Sequence, residues 1–368
     1  MPKAQETVLE INLTALQHNF EHIKSKLQPS TKFLAVVKAF AYGTEACEVA
    51  NFLQNLGVDY FAVAYINEGV ALREAGITLP ILVLHPQTVN FKSLIKYNLE
   101  PSLYNKKILQ EFISLVSNEE VNNYPVHIKF NTGLNRLGFW QDDVQFITNE
   151  LSDTKKLKVK SIFSHLAASE DLNEKKFTLN QIETFKNIAI RFEKEIGYKP
   201  MLHMCNTSGI LNYPEAQFDM VRSGIGLYGF GNSEKENKFL KPVGALKTII
   251  SQIHHIEKGE SVGYNRAFKS ETTLKTATLP IGHADGIGRQ YGNGKGFVTI
   301  NGQQAPIIGN VCMDMIMVNI TNIECQEGDE VIVFDEYHTA EDLAISANTI
   351  SYELITAISQ RVKRVFIK

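Results

Sequence analysis

The amino-acid sequence predicts an α/β fold, a (β/α)8 TIM barrel followed by a mainly β C-terminal domain. Three observations support this prediction. The 368 residues exceed one ordinary core, and a barrel of about 250 residues plus a smaller domain fits that length. Short β-rich runs alternate with amphipathic segments up to about residue 230. After a charged stretch at 232–238, strands follow one another with glycine or asparagine turns between them.

The barrel is predicted from eight strand–helix alternations. Several candidate strands are almost continuously apolar, as expected of parallel strands buried on both faces. Eight alternations favour a closed barrel over an open doubly wound sheet. The candidate strands span residues 33–39, 59–65, 80–85, 99–104, 126–130, 159–166, 201–206 and 219–225.

The second domain is predicted from hairpin-like patterning. The segment TINGQQAP (299–306) contains an asparagine–glycine pair, the strongest short-range signal of a β-hairpin. A helix near 341–359 should interrupt the strands before a last strand at 361–367. We therefore expect a cofactor-binding barrel domain over 1–235 and a mainly β domain over 236–368. The first ten or so residues can pair with the second domain.

Composition and charge narrow the range of functions. A formal net charge of -3, with 44% hydrophobic and 21% charged residues, is typical of a soluble globular protein and gives no reason to expect nucleic acid or a membrane as partner. Cys47, Cys205, Cys312 and Cys325 form no C-x-x-C pair, so we expect reduced thiols and no metal site. The N-terminus lacks a signal-peptide pattern, and no apolar run approaches the roughly 18 residues of a membrane helix. We expect a cytoplasmic protein.

Lys38 stands at the end of the first candidate strand, on the face where such barrels carry their active sites. A lone lysine there is most simply a side chain whose amine reaches the barrel rim. Alternatively, it is a partly desolvated amine suited to forming a Schiff base with an aldehyde. The loops after strands seven and eight, CNTSG (205–209) and RSGIGLYG (222–229), supply the Thr207 hydroxyl and glycines that let backbone N–H groups approach an oxyanion. A lysine and a phosphate seat in one barrel indicate pyridoxal phosphate.

Seven motifs follow one another along the chain: AVVKAFAYG (35–43), NTGLNRLGF (131–139), SHLA (164–167), RSGIGLYG (222–229), VGYN (262–265), HADG (283–286) and GNVCMDM (309–315). In this order, they resemble the motifs of the alanine racemases, which are pyridoxal-phosphate enzymes of fold type III. The resemblance spans nearly the whole chain. It implies that the protein interconverts L-alanine and D-alanine, supplying D-alanine for peptidoglycan.

Racemisation needs acid–base groups on both faces of the substrate, because the α-proton leaves one face and another returns to the opposite face. The resemblance implies that Lys38 holds the cofactor and is one base. It implies that Tyr264 is the second base, acting from the partner subunit of a homodimer with shared active sites. Met313 and Asp314 of the partner subunit are implied on the side of the substrate carboxylate.

The resemblance also implies the cofactor site. Arg222 would face the pyridine nitrogen with His203 behind it, and Arg136 would lie near the phenolic oxygen and the substrate. An arginine keeps its proton, so it disfavours protonation of that nitrogen and limits side reactions. The cofactor-binding residues implied are Lys38, Tyr42, Arg136, His165, Asn206, Thr207, Arg222, Gly224, Ile225 and Tyr352.

Three positions depart from the family pattern. Asn131 stands where an aspartate is usual, His283 where a tyrosine is usual and Asn310 where an arginine is usual. Lys129 matches a lysine that is often carbamylated in the family, and Asn131 in place of aspartate removes a negative charge near it. We expect His283 and Asn310 to affect substrate selectivity.

Three alternatives to an alanine racemase remain open at this point. A racemase of broader scope, for example one acting on serine, differs only in its small amino-acid substrate. A fold type III decarboxylase would carry glutamate where this chain has Arg222. A non-enzymatic pyridoxal-phosphate carrier is a single barrel and would lack the domain that contains Tyr264.

Overall fold

The computed structural model describes residues 4–152 and 154–368, and its first domain is a closed barrel of eight parallel strands. Each strand pairs with the next along the chain, and the last pairs with the first. The predicted fold class is therefore confirmed. Counted after β1 (Val8–Asn12), which lies outside the barrel, the strands are β2 (Lys32–Val36), β3 (Tyr60–Val63), β4 (Ile81–Val83), β5 (Glu100–Leu103), β6 (Tyr124–Lys129), β7 (Leu157–Phe163), β8 (Met201–His203) and β9 (Met220–Ser223).

The helices follow the amphipathic segments of the sequence. The longest buries Ile182, Phe185, Ile188 and Phe192 at helical spacing and ends at Gly197, which adopts the left-handed conformation common at helix ends. The helices are α1 (Leu13–Lys24), α2 (Lys38–Gly43), α3 (Ala46–Leu56), α4 (Ile66–Glu74), α5 (Phe91–Lys96), α6 (Lys106–Ser117), α7 (Val144–Ser152), α8 (Lys175–Ile196), α9 (Thr207–Asn212), α10 (Glu234–Asn237), α11 (Ala340–Ser346) and α12 (Ser351–Ala357).

The C-terminal part is built on a nine-stranded sheet in the order β11-β14-β17-β16-β15-β18-β10-β1-β19. β1 pairs antiparallel with β10 and parallel with β19, so the first described strand belongs to the sheet of the last ones. The strands after the barrel are β10 (Gly244–Ile249), β11 (Gln252–Ile256), β12 (Ser261–Val262), β13 (Phe268–Lys269), β14 (Leu274–Leu279), β15 (Phe297–Ile300), β16 (Gln303–Ile308), β17 (Ile316–Asn319), β18 (Glu330–Phe334) and β19 (Lys363–Ile367).

The asparagine–glycine hairpin forms as predicted. Asn301 and Gly302 both have positive φ, and they connect β15 to β16. The helix expected at 341–359 is instead two helices, because Asn348 between them takes a positive φ. The boundary between the domains at 235 and 236 stays a prediction.

Within the described residues, no helix combines the length and the apolarity needed to cross a bilayer. The four cysteines are free thiols, and Cys205 is buried. The pKa of the Cys205 thiol is raised to about 12 by burial, so the thiol stays protonated at neutral pH.

Candidate active site

A cavity of about 440 Å³ opens where the barrel strands end. Its walls come from residues that follow the carboxyl ends of the strands, the usual position of an active site in this fold. The cavity contains every residue predicted to bind the cofactor: Lys38, Tyr42, Arg136, His165, Asn206, Thr207, Arg222, Gly224, Ile225 and Tyr352.

Lys38 enters the cavity from a left-handed turn. Strand β2 ends at Val36, before the predicted end at 39, because the backbone from Ala39 to Tyr42 has φ of 51–56°. Each residue other than glycine in that conformation costs about 1–2 kcal/mol. The carboxylate of Glu68 compensates by accepting hydrogen bonds from the backbone N–H of Ala39 at 2.6 Å and of Ala64 at 2.7 Å.

Helix α12 closes over the same turn. A Cβ on Gly43, at φ +83°, would lie 1.9 Å from the carbonyl oxygen of Ile355. Only glycine allows so close an approach. The second domain therefore packs directly on the segment that contains Lys38 and Tyr42.

The cavity is strongly cationic. Lys38, Lys129, Arg136 and Arg222 line it, and no acidic residue does so in the described parts of the chain. Burial, followed by the charge of Arg136, lowers the pKa of Lys38. Burial and the charges of Arg136 and Arg222 lower the pKa of Lys129 to about 8. An anionic ligand such as a phosphate ester fits this charge distribution.

One end of the cavity offers neutral donors. Burial raises the pKa of Tyr42, and it raises the pKa of Tyr352 to about 12, so both hydroxyls keep their protons at neutral pH. Thr207 Oγ lies beside them and accepts from the backbone N–H of Gly226 at 3.4 Å. A Cβ on Gly224 would lie 2.2 Å from the Tyr42 hydroxyl oxygen. Hydroxyls, a closely packed glycine and the short helix after Asn206 form a seat suited to phosphate oxygens.

Arg222 also lines the cavity and is fixed by four hydrogen bonds. It donates to His203 Nδ1 at 2.7 Å, to His165 Nδ1 at 3.0 Å, and to the carbonyl oxygens of Ser164 at 2.8 Å and Met204 at 3.1 Å. Burial lowers the pKa of Arg222 to about 10, so the guanidinium is still charged at neutral pH. The pKa values of His165 and His203 are well below the usual range because of burial and the charge of Arg222.

Family models match both parts of the chain. The model described as alanine racemase, N-terminal domain, matches residues 11–231, and the model described as alanine racemase, C-terminal domain, matches residues 243–366. The chain belongs to the alanine racemase family. The predicted family and class of enzyme, an amino-acid racemase, are therefore confirmed, and pyridoxal phosphate is the cofactor of this family.

Relatives match over their full length. The alanine racemase of Treponema denticola is 39% identical over 371 residues, covering 97% of each chain. The solved alanine racemase of Clostridium difficile 630 is 34% identical with a TM-score of 0.92, covering 100% of this chain and 97% of that one. The alanine racemase of Bartonella henselae, solved with covalently bound pyridoxal phosphate, is 29% identical with a TM-score of 0.89, covering 99% and 100%.

Three predicted residues lie outside the cavity of their own subunit. Tyr264 is 74% exposed and Met313 is 62% exposed, and Asp314 beside it is also exposed. Asn310, one of the departures from the family pattern, donates from its amide to the backbone oxygen of Tyr264 at 3.1 Å. The three predicted side chains are therefore exposed on the surface of a single subunit and do not line the cavity described above.

The sequence reasoning missed two polar residues of the cavity, His85 and Asn232. His85 comes two residues after the end of β4, and this position beyond a barrel strand could have identified it. Asn232 carries no such signal, since it comes from the loop after the barrel. Tyr65 is 50% exposed and packs edge-on against His85.

Asn131, which replaces the usual aspartate, closes its own loop. Its side-chain oxygen accepts from the backbone N–H of Gly133 at 3.2 Å and of Asn135 at 3.0 Å, and its amide donates to the side chain of Asn135 at 2.9 Å. Asn131 therefore closes this loop through an uncharged side chain.

Proposed function

We propose that this chain interconverts L-alanine and D-alanine with pyridoxal phosphate, using Lys38 and Tyr264 as its two bases. The observation that carries the proposal is the convergence of Lys38, Arg222 and the hydroxyls of Tyr42 and Tyr352 on one cationic cavity. A lysine, a fixed donor for a ring nitrogen and a phosphate seat are the groups that hold this cofactor.

When bound, pyridoxal phosphate withdraws electrons from the substrate α-carbon and acidifies its proton. Burial lowers the pKa of Lys38, so a larger fraction of its amine is neutral and able to accept that proton. Tyr42 and Tyr352 would donate hydrogen bonds to phosphate oxygens, because both hydroxyls stay protonated. Arg222 would donate to the ring nitrogen and leave it unprotonated.

We propose a homodimer in which each active site uses two subunits. Tyr264 and Met313 are exposed outside their own cavity, and a twofold pair is the simplest symmetry that brings them to a second cavity. Mixing Lys38→Ala with Tyr264→Phe protein should restore activity, because one site of each mixed dimer combines both intact residues. Random exchange of equal amounts should restore about a quarter of the wild-type rate.

The matched control for this mixture is Lys38→Ala protein mixed with the double variant Lys38→Ala/Tyr264→Phe. Every site in that mixture lacks Lys38, so no recovery is expected. If the first mixture also stays inactive while subunits demonstrably exchange, the sites are not shared.

The roles of the two bases can be separated by following α-proton exchange into deuterated water for each enantiomer. We expect Lys38 to take the proton of D-alanine and Tyr264 that of L-alanine. Tyr264→Phe should therefore slow exchange from L-alanine far more than from D-alanine, by about 10²–10⁴-fold if general-base catalysis is lost. Equal slowing for both enantiomers would favour a single base that serves both faces.

We propose that the enzyme is cytoplasmic and supplies D-alanine for peptidoglycan, without nucleic-acid or membrane partners. A broader or serine-directed specificity is a second candidate, because Asn310, a departure from the family pattern, contacts the backbone of Tyr264. A chirality-resolved assay against alanine and serine decides between the two: a higher kcat/KM for serine would support the second candidate.

A further inference from the structure

A row of hydrogen-bonded side chains leads from Arg222 through the interior of the barrel, away from the cavity. Arg222 contacts His203 Nδ1 at 2.7 Å, and His203 Nε2 lies 2.8 Å from Ser161 Oγ. Ser161 Oγ lies 2.6 Å from His127 Nδ1, and His127 Nε2 lies 2.7 Å from Glu100 Oε2. Every member is buried, and each of the five consecutive barrel strands β5 to β9 contributes one residue to the row.

The arginine sets the direction of every hydrogen bond in the row. A guanidinium only donates, so His203 Nδ1 must accept and its proton must be on Nε2. His203 Nε2 then donates to Ser161 Oγ. The Ser161 hydroxyl contacts only the two imidazoles among the described residues, so its own proton points to His127 Nδ1. His127 therefore donates from Nε2 to Glu100, where the row ends.

Glu100 supplies the negative charge at that end. Burial alone would raise the pKa of its carboxyl, but hydrogen bonds from His127 and Tyr60 outweigh burial, and the net shift is downward. The carboxylate is therefore ionised at neutral pH. Arg222 has no carboxylate within salt-bridge distance in the described chain, although its guanidinium is buried. Glu100 is thus the anion to which the Arg222 cation is connected.

We propose that Glu100 is a positioning residue for the reaction: through His127, Ser161 and His203 it holds Arg222 in place. The proposal rests on the proposed place of Arg222 at the ring nitrogen. The Glu100 carboxylate can only accept a hydrogen bond, so His127 must donate to it from Nε2. The bonds through Ser161 then keep His203 in the same Nε2–H tautomer. The guanidinium is then held in a single orientation, and His203 cannot turn a donor toward it.

The barrel offers a matched pair of serines to test this. His127 on β6 is paired in register with Ser102 on β5 and with Ser161 on β7. Both serines are fully buried, but only Ser161 belongs to the row, and Ser102 Oγ has no hydrogen-bond partner among the described residues. Ser161→Ala interrupts the row, whereas Ser102→Ala removes the same hydroxyl from the other side of His127.

The first measurement is steady-state racemisation by the cofactor-loaded enzyme. Ser161→Ala should lower kcat about 10-fold while KM changes by less than about 2-fold, because the lost hydrogen bond orients Arg222 rather than substrate. Glu100→Gln keeps an acceptor for His127 and removes the charge, and it should lower kcat in the same direction. Ser102→Ala should leave both constants close to the wild-type values.

The second measurement does not depend on turnover. In holoenzyme with ¹⁵N-labelled histidine rings, the ring N–H protons of His127 and His203 should resonate downfield and exchange slowly with water. Ser161→Ala should remove the slow exchange of His203, and Ser102→Ala should preserve it. Glu100→Gln, which has nearly the same shape as the native side chain, provides the test if Ser161→Ala does not fold.

The proposal is overturned if Ser161→Ala and Ser102→Ala have the same kcat, or if the His203 ring proton is unaffected by Ser161→Ala. It is also overturned if the ring proton changes while kcat does not. Failure of the proposed function is a different result, since wild-type protein would then racemise no alanine while the histidine signals of the row persist.

Discussion

Replacing Lys129 with methionine should stabilise the protein more at neutral pH than at about pH 9.5. The Lys129 amine is buried among Arg136, Arg222 and Lys38, and burial and these charges lower its pKa from 10.5 to about 8. Between those values the unfolded chain binds the proton and the folded chain does not. The free energy of unfolding of the wild type therefore rises with pH across this window.

The size of the effect follows from the two pKa values. Each tenfold change in protonation equilibrium corresponds to about 1.36 kcal/mol. Raising the pH from about 7 to about 9.5 covers most of the window, and Lys129 should then contribute about 2 kcal/mol of added stability to the wild type. Lys129→Met lacks the amine, so its stability advantage over the wild type should shrink by that amount.

Urea unfolding of the cofactor-free protein at several pH values, at equal protein concentrations, measures this difference. Carbon dioxide must be excluded, because it reacts with a neutral amine. Lys158→Met is the matched control, since Lys158 lies on the neighbouring strand β7 with an exposed side chain. A Lys129→Met advantage that does not change between about pH 7 and about pH 9.5 would refute the reasoning.

Two further predictions concern the backbone around the cofactor seat. Gly224→Ala should weaken cofactor binding about 10-fold, because its Cβ would lie 2.2 Å from the Tyr42 hydroxyl oxygen and displace it. The control is Gly244→Ala, whose Cβ meets nothing closer than 3.5 Å. Equal dissociation constants for Gly224→Ala and wild-type protein in a fluorescence titration would contradict the prediction. Ala39→Gly should raise the free energy of unfolding by about 0.5–1 kcal/mol, because Ala39 has a φ of 53°. The control is Ala71→Gly in the right-handed helix α4, which should lower the free energy of unfolding by a similar amount. If Ala39→Gly also lowers the free energy of unfolding, the turn is not strained.

The sequence predicts the barrel and its cofactor seat because both depend on local patterns. Apolar runs identify strands buried on two faces, and Lys38, Thr207 and Gly224 lie within four residues of the ends of such strands. The left-handed turn at 39–42 could not be predicted. Alanine and phenylalanine seldom adopt positive φ, and the conformation depends on contacts from Glu68 and helix α12, which are distant in the chain.

The row behind Arg222 was not predicted for a different reason. Glu100, His127 and Ser161 lie in three different strands, and nothing local distinguishes them from the other polar residues of those strands. They meet because the register of parallel strands places His127 beside Ser161 and brings Glu100 within reach. The register between parallel strands depends on the packing of the whole barrel, so the local pattern of one sequence does not predict it.

The position of β1 has a consequence for biosynthesis. Its neighbours β10 and β19 begin at Gly244 and Lys363, so a ribosome must add more than two hundred residues before either is available. At about 5–20 residues per second, that delay is on the order of ten seconds or more. During this time both edges of β1 are unpaired, and Leu9 and Ile11, buried in the finished protein, are open to mispairing with other nascent chains. In the barrel, β3 to β9 each pair with the strand made just before them, and only the closing pair of β2 with β9 waits for a distant strand.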